Sequence, residues 1–391
     1  MKALILAAAG DLNVAPLDGY IAKAMLPVVN RPLLELVLDH VRSYCFRDII
    51  ISTSHLAPQV EDYFRDGHRF NVQIAYSFEG HQVNGATIAS TEGTAGAVRK
   101  IHEHSGFVDE TLLIMPGDEL NLVDLNDFYS QHKSNGALLS LVVKRVSNEE
   151  ARPECCVRLN RWGQLQACGA QAWCPTTKTQ LVNTGIYLLE PQILNWIPAS
   201  GFADINDDVL PALMEAGVRV TGSDAPFQSF QIHGLRDYHR LSMMCLLGFM
   251  PFDLRFSKQI NGHIRIGSHV RMQADRVTCT GQVFVGSGCA VADKAQLHGP
   301  LIIGSGSVIE QGAFLENSIL LDHTLISEGL HVRNKIIGPG FCFDINGSLL
   351  DQRHSDIAWL FRDAREKGFN PDPTQRQILH QTSGIKLPLF V

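Results

Sequence analysis

Hydrophobic and polar positions follow two alternating periods over roughly the first 240 residues. Short apolar runs predict strands at 3–6, 48–52, 72–76 and 111–115, and apolar residues at helical spacing predict helices at 32–44, 58–64 and 93–102. Strands that alternate with helices predict βαβ units, and therefore a mostly parallel α/β sheet covered on both faces. In such sheets, functional side chains are expected at the C-terminal ends of the strands.

A different period begins near residue 260. Aliphatic residues recur at a spacing of six: Val285, Val291, Leu297, Ile303, Ile309, Leu315 and Leu321. Four positions after each of them stands a small or apolar residue: Cys289, Ala295, Leu301, Ser307, Ala313, Ile319 and Leu325. An earlier set, Ile260, Ile266 and Met272, has the same spacing one step out of phase. A period of six is typical of a hexapeptide-repeat parallel β-helix, with about 18 residues per coil and four to five coils here.

These patterns predict four regions. Residues 1–243 form the α/β domain, 244–259 an apolar connector, 260–345 the β-helix and 346–391 a C-terminal region. In the last region, 356–366 read as an amphipathic helix, followed by the apolar tail IKLPLFV. Because an exposed coil end needs a cap, we expect the helix and the tail to dock there or on a partner.

Composition excludes several classes of protein. The 391 residues are 45% hydrophobic and 19% charged, which is ordinary for a globular chain, and no apolar run is long enough to span a membrane. The formal charge is −7 and the sequence has no basic cluster, so it does not predict a surface that binds nucleic acid or a membrane. Nine cysteines without a CxxC pair favour a reduced, cytoplasmic protein without a zinc site.

Several segments carry a more specific signal, and they occur in this order: LILAAAGDLNVAPL, AKAMLPVVNRPLLE, YFRDGHRFNVQIAYSFE, EGTAGAVRK, IMPGDEL, NTGIYLLEP and DINDDVLPAL. Together with the two-domain pattern, they resemble the sugar-1-phosphate nucleotidyltransferases over roughly the first 345 residues. The resemblance implies a Rossmann-like nucleotidyltransferase domain followed by a left-handed β-helix. It also implies a reaction in which a nucleoside triphosphate and a sugar 1-phosphate give a nucleotide sugar and pyrophosphate.

The resemblance also assigns site residues. Lys23 matches a lysine that contacts phosphate, and Asp118, after Gly117, matches the first magnesium carboxylate, so Mg²⁺ is the expected cofactor of an active enzyme. Residues matching nucleotide- or sugar-binding positions are Ala8, Ala9, Gly10, Gly93, Thr94, Ala95, Asn183, Thr184 and Gly185. Such chemistry is largely positioning and charge neutralisation, which requires a phosphate cradle, cations and metal-binding carboxylates.

The chain departs from the family pattern mainly at charged positions. Asp11, Leu12 and Asn13 stand where the signature has Gly, Thr and Arg, and Trp173, Cys174 and Pro175 stand at the Glu-Lys-Pro that holds the sugar phosphate. Gln231 stands at the second magnesium carboxylate, for which Asp224 is an alternative. Asn13 removes the arginine cation and Asp11 adds a negative charge nearby, and a unit charge pair at 4 Å is worth about 4 kcal/mol at an effective dielectric near 20.

Three functions remain open. The first is a divergent homologue with weak or lost catalysis, which binds a nucleotide sugar or sugar phosphate in a regulatory or assembly role, as a homo-oligomer or with an active paralogue. The second is an active nucleotidyltransferase that makes an NDP-sugar. The third is a hexapeptide-repeat acyltransferase using a β-helix histidine, for which His298 and His323 are candidates; a solvated or stacked histidine ladder is the structural alternative.

Overall fold

The computed structural model describes residues 1–8, 17–54, 56–83, 86–89, 92–252, 254, 257–260, 262–346 and 361–366. The chain forms two compact units. Of the described residues, 1–8, 21–25 and 33–231 belong to the first unit, and 17–20, 26–32 and 232 onward belong to the second. The predicted boundaries at 243, 259 and 345 remain predictions. No helix in the described ranges is long and apolar enough to cross a bilayer.

Helices and strands alternate at the predicted elements, whereas four strands between residues 139 and 189 follow one another without an α-helix. The helices are α1 Leu33–Ser43, α2 Ala57–Phe64, α3 Thr94–Ser105, α4 Leu125–Asn135, α5 Leu210–Glu215 and α6 Leu235–Leu246. The strands are β1 Lys2–Leu6, β2 Pro27–Val28, β3 Arg31–Pro32, β4 Asp48–Thr53, β5 Gln73–Phe78, β6 Gly80–Val83, β7 Ala86–Ala89, β8 Leu112–Pro116, β9 Leu120–Leu122, β10 Leu139–Ser147, β11 Cys156–Leu159, β12 Leu165–Cys168, β13 Thr179–Leu189, β14 Val220–Ser223 and β15 Gln228–Phe230.

The main sheet of the first unit has the order β12-β11-β13-β8-β1-β4-β5, and β10 pairs with β13 and β14. Strands β8, β1, β4 and β5 are parallel to their neighbours within this group, whereas β13 is antiparallel to β8. The centre of β1 is fully buried, as expected for a strand covered on both faces. The predicted α/β fold is therefore confirmed, and the carboxyl ends of β1, β4 and β8 lie along one sheet edge.

The second unit contains the short strands of the β-helix. They are β16 Lys258–Ile260, β17 Ile264–Ile266, β18 Arg271–Met272, β19 Thr278–Thr280, β20 Val283–Val285, β21 Ala290–Val291, β22 Gln296–His298, β23 Leu301–Ile303, β24 Val308–Ile309, β25 Phe314–Glu316, β26 Ile319–Leu320, β27 Thr324–Ile326, β28 His331–Arg333, β29 Lys335–Gly338, β30 Phe341–Asp344 and β31 Phe361–Asp363. Parallel pairing builds three faces, β17-β20-β23-β26-β29, β18-β21-β24-β27 and β19-β22-β25-β28. This confirms the predicted parallel β-helix.

The coils shorten along the stack. Ile266 pairs with Val285, Val285 with Ile303, and Ile303 with Leu320, so successive coils take 19, 18 and 17 residues. Because the first coil is one residue longer than the 18-residue repeat, Ile260, Ile266 and Met272 stand one position out of phase with the later hexads. The short later coil shifts the inward positions: Leu320 and Ile326 join the apolar cluster inside the stack. Leu325 is only half-buried, and Leu321 is buried, at 5% exposed, outside that cluster.

Antiparallel strands border two faces of the stack. Strand β16 pairs antiparallel with β17, β30 with β29, and β31 with β27. A helix was predicted over 356–366, but its described part, residues 361–366, contains strand β31 instead. Phe361 is 1% exposed and joins the β-helix core, which holds this segment against the stack. Residues 356–360 and the tail IKLPLFV lie outside the described residues.

Candidate active site

The loop that leaves β8 is held against β1. The Gly117 N–H donates a hydrogen bond to the Leu6 carbonyl oxygen at 2.7 Å. A Cβ atom at Gly117 would lie 2.9 Å from Ile5 Cγ2 and 3.1 Å from the Leu6 oxygen, closer than side chains normally pack. Glycine therefore lets the chain leave the sheet at this edge and places the next two residues, Asp118 and Glu119, directly after the strand.

Lys23 and Asp118, predicted from separate motifs, form an ion pair. Lys23 begins a short 3₁₀ helix, Lys23–Met25, and its Nζ lies 2.9 Å from Asp118 Oδ2. Their side chains are only 11% and 12% exposed, so the attraction is screened less than at the surface. Each charge balances the other in this structure, and a phosphate or a metal ion would compete for the same partners.

Glu119 is a site residue that the sequence analysis missed. Strand β9 pairs antiparallel with β15, and the ladder ends where Leu120 lies opposite Phe230, so Glu119 and Gln231 are the next residues beyond that end. Gln231 Nε2 donates to Glu119 Oε2 at 3.2 Å, and Asn121 Nδ2 donates to the same oxygen at 3.4 Å. Burial, followed by the neighbouring Asp118 carboxylate, raises the pKa of Glu119. The sequence signal was present in GDE, where a second carboxyl group directly follows Asp118.

The predicted nucleotide-binding turn begins at Gly93, which precedes α3 with φ of +76°. The Thr94 hydroxyl donates to Asp204 Oδ2 at 2.9 Å and accepts the Ile205 N–H at 2.8 Å. The side chain of Ala95 is fully buried. Because the Thr94 hydroxyl and the Ala95 methyl group are already used in the fold, this turn offers a ligand mainly its backbone.

The predicted sugar-binding segment forms a β-bulge in β13. The register between β10 and β13 shifts between Leu141 and Val143, which leaves Thr184 and Gly185 in the irregular stretch. Asn183 Nδ2 donates to the Tyr187 hydroxyl at 2.7 Å, and Asn183 Oδ1 accepts the Gly185 N–H at 3.1 Å. Gly185 has φ of +74°, and a Cβ there would lie 3.3 Å from Pro116 Cγ at the end of β8. The bulge therefore lies beside the strand that leads to Asp118.

Comparison with known proteins now identifies the family. A model described as "Nucleotidyl transferase" matches residues 2–225, more than half of the chain. The chain belongs to the nucleotidyl transferase family.

Relatives extend the nucleotidyl transferase similarity beyond that domain. A UTP–glucose-1-phosphate uridylyltransferase from Synechocystis sp. is 31% identical over 97% of this chain and 98% of the relative. A mannose-1-phosphate guanylyltransferase from Mycobacterium tuberculosis is 26% identical over 84% of this chain and 82% of the relative. A solved structure of a candidate glucose-1-phosphate thymidylyltransferase from Bacillus anthracis has a TM-score of 0.53 at 18% identity, over 65% of this chain and 97% of that chain, which supports the fold alone.

The family's metal can be tested against the donors at this site. In the part of the chain that the structure describes, no cluster of three or more His, Cys, Asp or Glu residues has metal-binding geometry. However, Asp118 and Glu119 supply two adjacent carboxylates, and Asn121, 1% exposed, has a buried Oδ1 with no hydrogen-bond donor. Oxygen donors of this kind are the ligands that Mg²⁺ prefers, so the residues present fit the ion.

The structure describes only some of the other predicted site residues. Ala8 is 3% exposed, and its carbonyl oxygen accepts the Ser54 hydroxyl at 3.0 Å. Ala9, Gly10, Asp11, Leu12 and Asn13 lie outside the described residues. Trp173, at the glutamate of the family's Glu-Lys-Pro, packs on a small apolar cluster that includes Cys156. Cys174 stands at the lysine, and its Sγ lies 3.3 Å from Thr176 Oγ1.

The β-helix histidines do not converge on a catalytic arrangement among the described residues. His298 Nδ1 lies 2.8 Å from Thr280 Oγ1, and its ring stacks on Phe314 at 4.8 Å. His331 lies on the other neighbouring strand of the same face, 5.3 Å from Phe314. The stacked ladder considered for His298 is therefore present, whereas His323 stands at a turn with φ of +60°.

Proposed function

We propose that this chain is an active sugar-1-phosphate nucleotidyltransferase, which joins a nucleoside triphosphate to a sugar 1-phosphate and releases pyrophosphate. The observation that carries the proposal is the pairing of Lys23 with Asp118 at 2.9 Å, at the carboxyl end of β8. A cation for phosphate and a carboxylate for a metal are thus brought together where parallel sheets bind ligands. Two relatives, which match 97% and 84% of this chain, are named as transferases. They also favour an active enzyme over a purely regulatory homologue.

The chemistry assigned to the residues is charge neutralisation and alignment. Bound Mg²⁺ would supply a Lewis acid that neutralises charge on phosphate oxygens, and Asp118 would hold it. Lys23 would exchange its contact with Asp118 for a phosphate oxygen. The backbone at Gly93 and the bulge at Asn183 would orient the nucleotide and the sugar, so that the two reacting groups meet in line.

UTP and glucose 1-phosphate are the first substrate pair to test. The Synechocystis relative, which this chain matches from end to end, is named for that pair. GTP with mannose 1-phosphate is the second pair, after the mycobacterial relative. Other nucleoside triphosphates and sugar 1-phosphates complete the panel, since the base and the sugar are chosen by contacts that the motifs do not specify.

The experiment measures pyrophosphate release by the full chain with Mg²⁺. Lys23→Met and Asp118→Asn each remove one partner of the buried pair, and we expect kcat/KM to fall by about 10²- to 10³-fold, as when one charge-stabilising group is lost. Lys335→Met is the matched control, because Lys335 is 7% exposed and pairs with Asp344 at 2.8 Å in the β-helix. It should retain full turnover if folded.

A specific observation supports a second candidate, the binding or regulatory role. Trp173 packs on an apolar cluster where the family pattern has a glutamate, and the neighbouring Cys174 stands at the lysine that holds the sugar phosphate. That role predicts no pyrophosphate release with any pair in the panel, together with saturable binding of an NDP-sugar measured by calorimetry. This result in folded wild-type protein would overturn the catalytic proposal.

A further inference from the structure

The carboxylate that is missing at Gln231 has a counterpart on the other strand, at Glu119. Gln231 stands where the second magnesium carboxylate is expected, and it brings no charge. Glu119 and Gln231 are the next residues beyond the Leu120–Phe230 pair at the end of this ladder, and their side chains are joined by the 3.2 Å hydrogen bond from Nε2 to Oε2. Cross-strand neighbours lie within about 5.5 Å, so a carboxylate at either position reaches the same space.

We propose that Glu119 is the second metal carboxylate of this site, the negative charge having moved across the ladder from position 231 to position 119. The inference rests on the proposed function for its choice of ion, Mg²⁺. Asp118 and Glu119 then form the carboxylate pair, and Gln231 becomes a positioning residue. The site therefore keeps the second carboxyl group that a count along the sequence records as lost.

The neighbours of Glu119 orient it through hydrogen bonds, and its positive neighbour, Lys23, acts on it from beyond ion-pair distance. Gln231 and Asn121 both donate to Oε2, which leaves Oε1 without a donor among the described residues. Lys23 pairs with Asp118, and no ammonium or guanidinium group of the described residues lies within 4 Å of the Glu119 carboxylate. A carboxylate that is oriented by amides but has no ion-pair partner is arranged to accept a cation.

A second observation points to a ligand at the same place. Asn121 is 1% exposed and pairs with Ser229 in the ladder, so its side chain has little freedom. Its Nδ2 faces Glu119, whereas its Oδ1 is buried without a donor in the described part of the chain. Leaving a buried acceptor unsatisfied costs about 1–3 kcal/mol. A hydrated cation would supply the missing donor through one of its water molecules.

The test uses Mn²⁺ as a probe, with its binding to the full-length protein followed by electron paramagnetic resonance of the free ion. We expect Glu119→Gln to weaken Mn²⁺ affinity by at least about tenfold. The double variant Glu119→Gln with Gln231→Glu returns the carboxylate to the other strand and should restore most of the affinity. Glu316→Gln, a half-buried β-helix glutamate that pairs with Arg333, is the matched control and should bind as wild type does.

Two results would overturn the inference: wild-type protein without saturable Mn²⁺ binding, or Glu119→Gln protein that binds Mn²⁺ as wild type does. The pyrophosphate assay separates this failure from failure of the proposed function. Full turnover by Glu119→Gln overturns the inference and leaves the transferase assignment intact. Wild-type protein without turnover, but with Mn²⁺ binding that depends on Glu119 and is restored by the swap, supports the inference and overturns the assignment.

Discussion

Gly93 occupies a backbone position that other residues fit poorly. Its φ of +76° disfavours any Cβ, and a Cβ there would lie 2.2 Å from the Ala203 carbonyl oxygen. That oxygen accepts the Gly96 N–H at 2.9 Å, so the clash falls on a contact that holds the start of α3. The residue therefore joins the α3 turn to the loop at Ala203.

Gly93→Ala is expected to lower both stability and turnover. The positive φ alone costs about 1–2 kcal/mol, and displacement of Ala203 adds to it. Gly106→Ala is the matched control, because Gly106 has φ of +64° with no atom within 4 Å of the added Cβ. Urea denaturation of both variants measures the difference in the free energy of unfolding. Equal losses for the two variants would contradict the contact with Ala203.

The sequence predicted individual site residues better than their partnerships. Lys23 and Asp118 stand in recognisable motifs, yet their pairing depends on how residues nearly a hundred positions apart fold together. Glu119 was missed because its importance comes from the β9–β15 register, which joins it to Gln231. A count of motif positions along the chain assigns each charge to one position. Side chains that meet across two strands can supply the same carboxyl group from either strand.

At the scale of elements, the hexad pattern predicted the β-helix because every inward side chain repeats with the coil. It failed at the seventh hexad, where a coil of 17 residues moves the inward position to Leu320. The part of the predicted helix that lies in the described residues 361–366 was wrong for a related reason. An amphipathic pattern tells which residues are buried, but not whether a neighbouring strand, here β27, offers hydrogen bonds to the backbone.

The coil shift makes a direct prediction. Ile326 is fully buried, whereas Leu325 is half-buried on the same strand, β27. Ile326→Ala should therefore lower the free energy of unfolding by about 2–5 kcal/mol, the usual cost of a core truncation. Leu325→Ala should cost clearly less. Urea denaturation compares the two, and a larger loss for Leu325→Ala would restore the unbroken six-residue period.

At the scale of the whole molecule, buried histidines link stability to pH. Burial lowers the pKa of His40, His132 and His239 below 6.5. His132 is 1% exposed, with ring nitrogens 2.7 Å from Ser140 Oγ and 3.0 Å from Glu190 Oε1. This Ser-His-Glu arrangement looks like a catalytic triad, but His132 and Ser140 are closed to substrate, so it is structural.

The folded protein should therefore lose stability as the pH falls. Well above pH 6.5 these histidines are neutral in the folded and the unfolded protein. Below pH 6.5 the unfolded chain binds protons that the folded chain does not, and this favours unfolding. Urea midpoints at about pH 7.5 and about pH 5 should show this fall. His132→Gln should reduce the pH dependence, and His68→Gln, at an exposed position, should not. An identical slope in wild type and His132→Gln would contradict the argument.

The antiparallel strands at the ends of the β-helix have a consequence for its length. A stack of parallel coils grows when the next strand runs in the same direction, so an open final coil is a template for more chain, including chain from another copy. Strands β16, β30 and β31 run the opposite way on two of the three faces. These antiparallel strands stop the stack from growing on those faces. The number of coils there is therefore set by the change of strand direction rather than by where the sequence repeat stops.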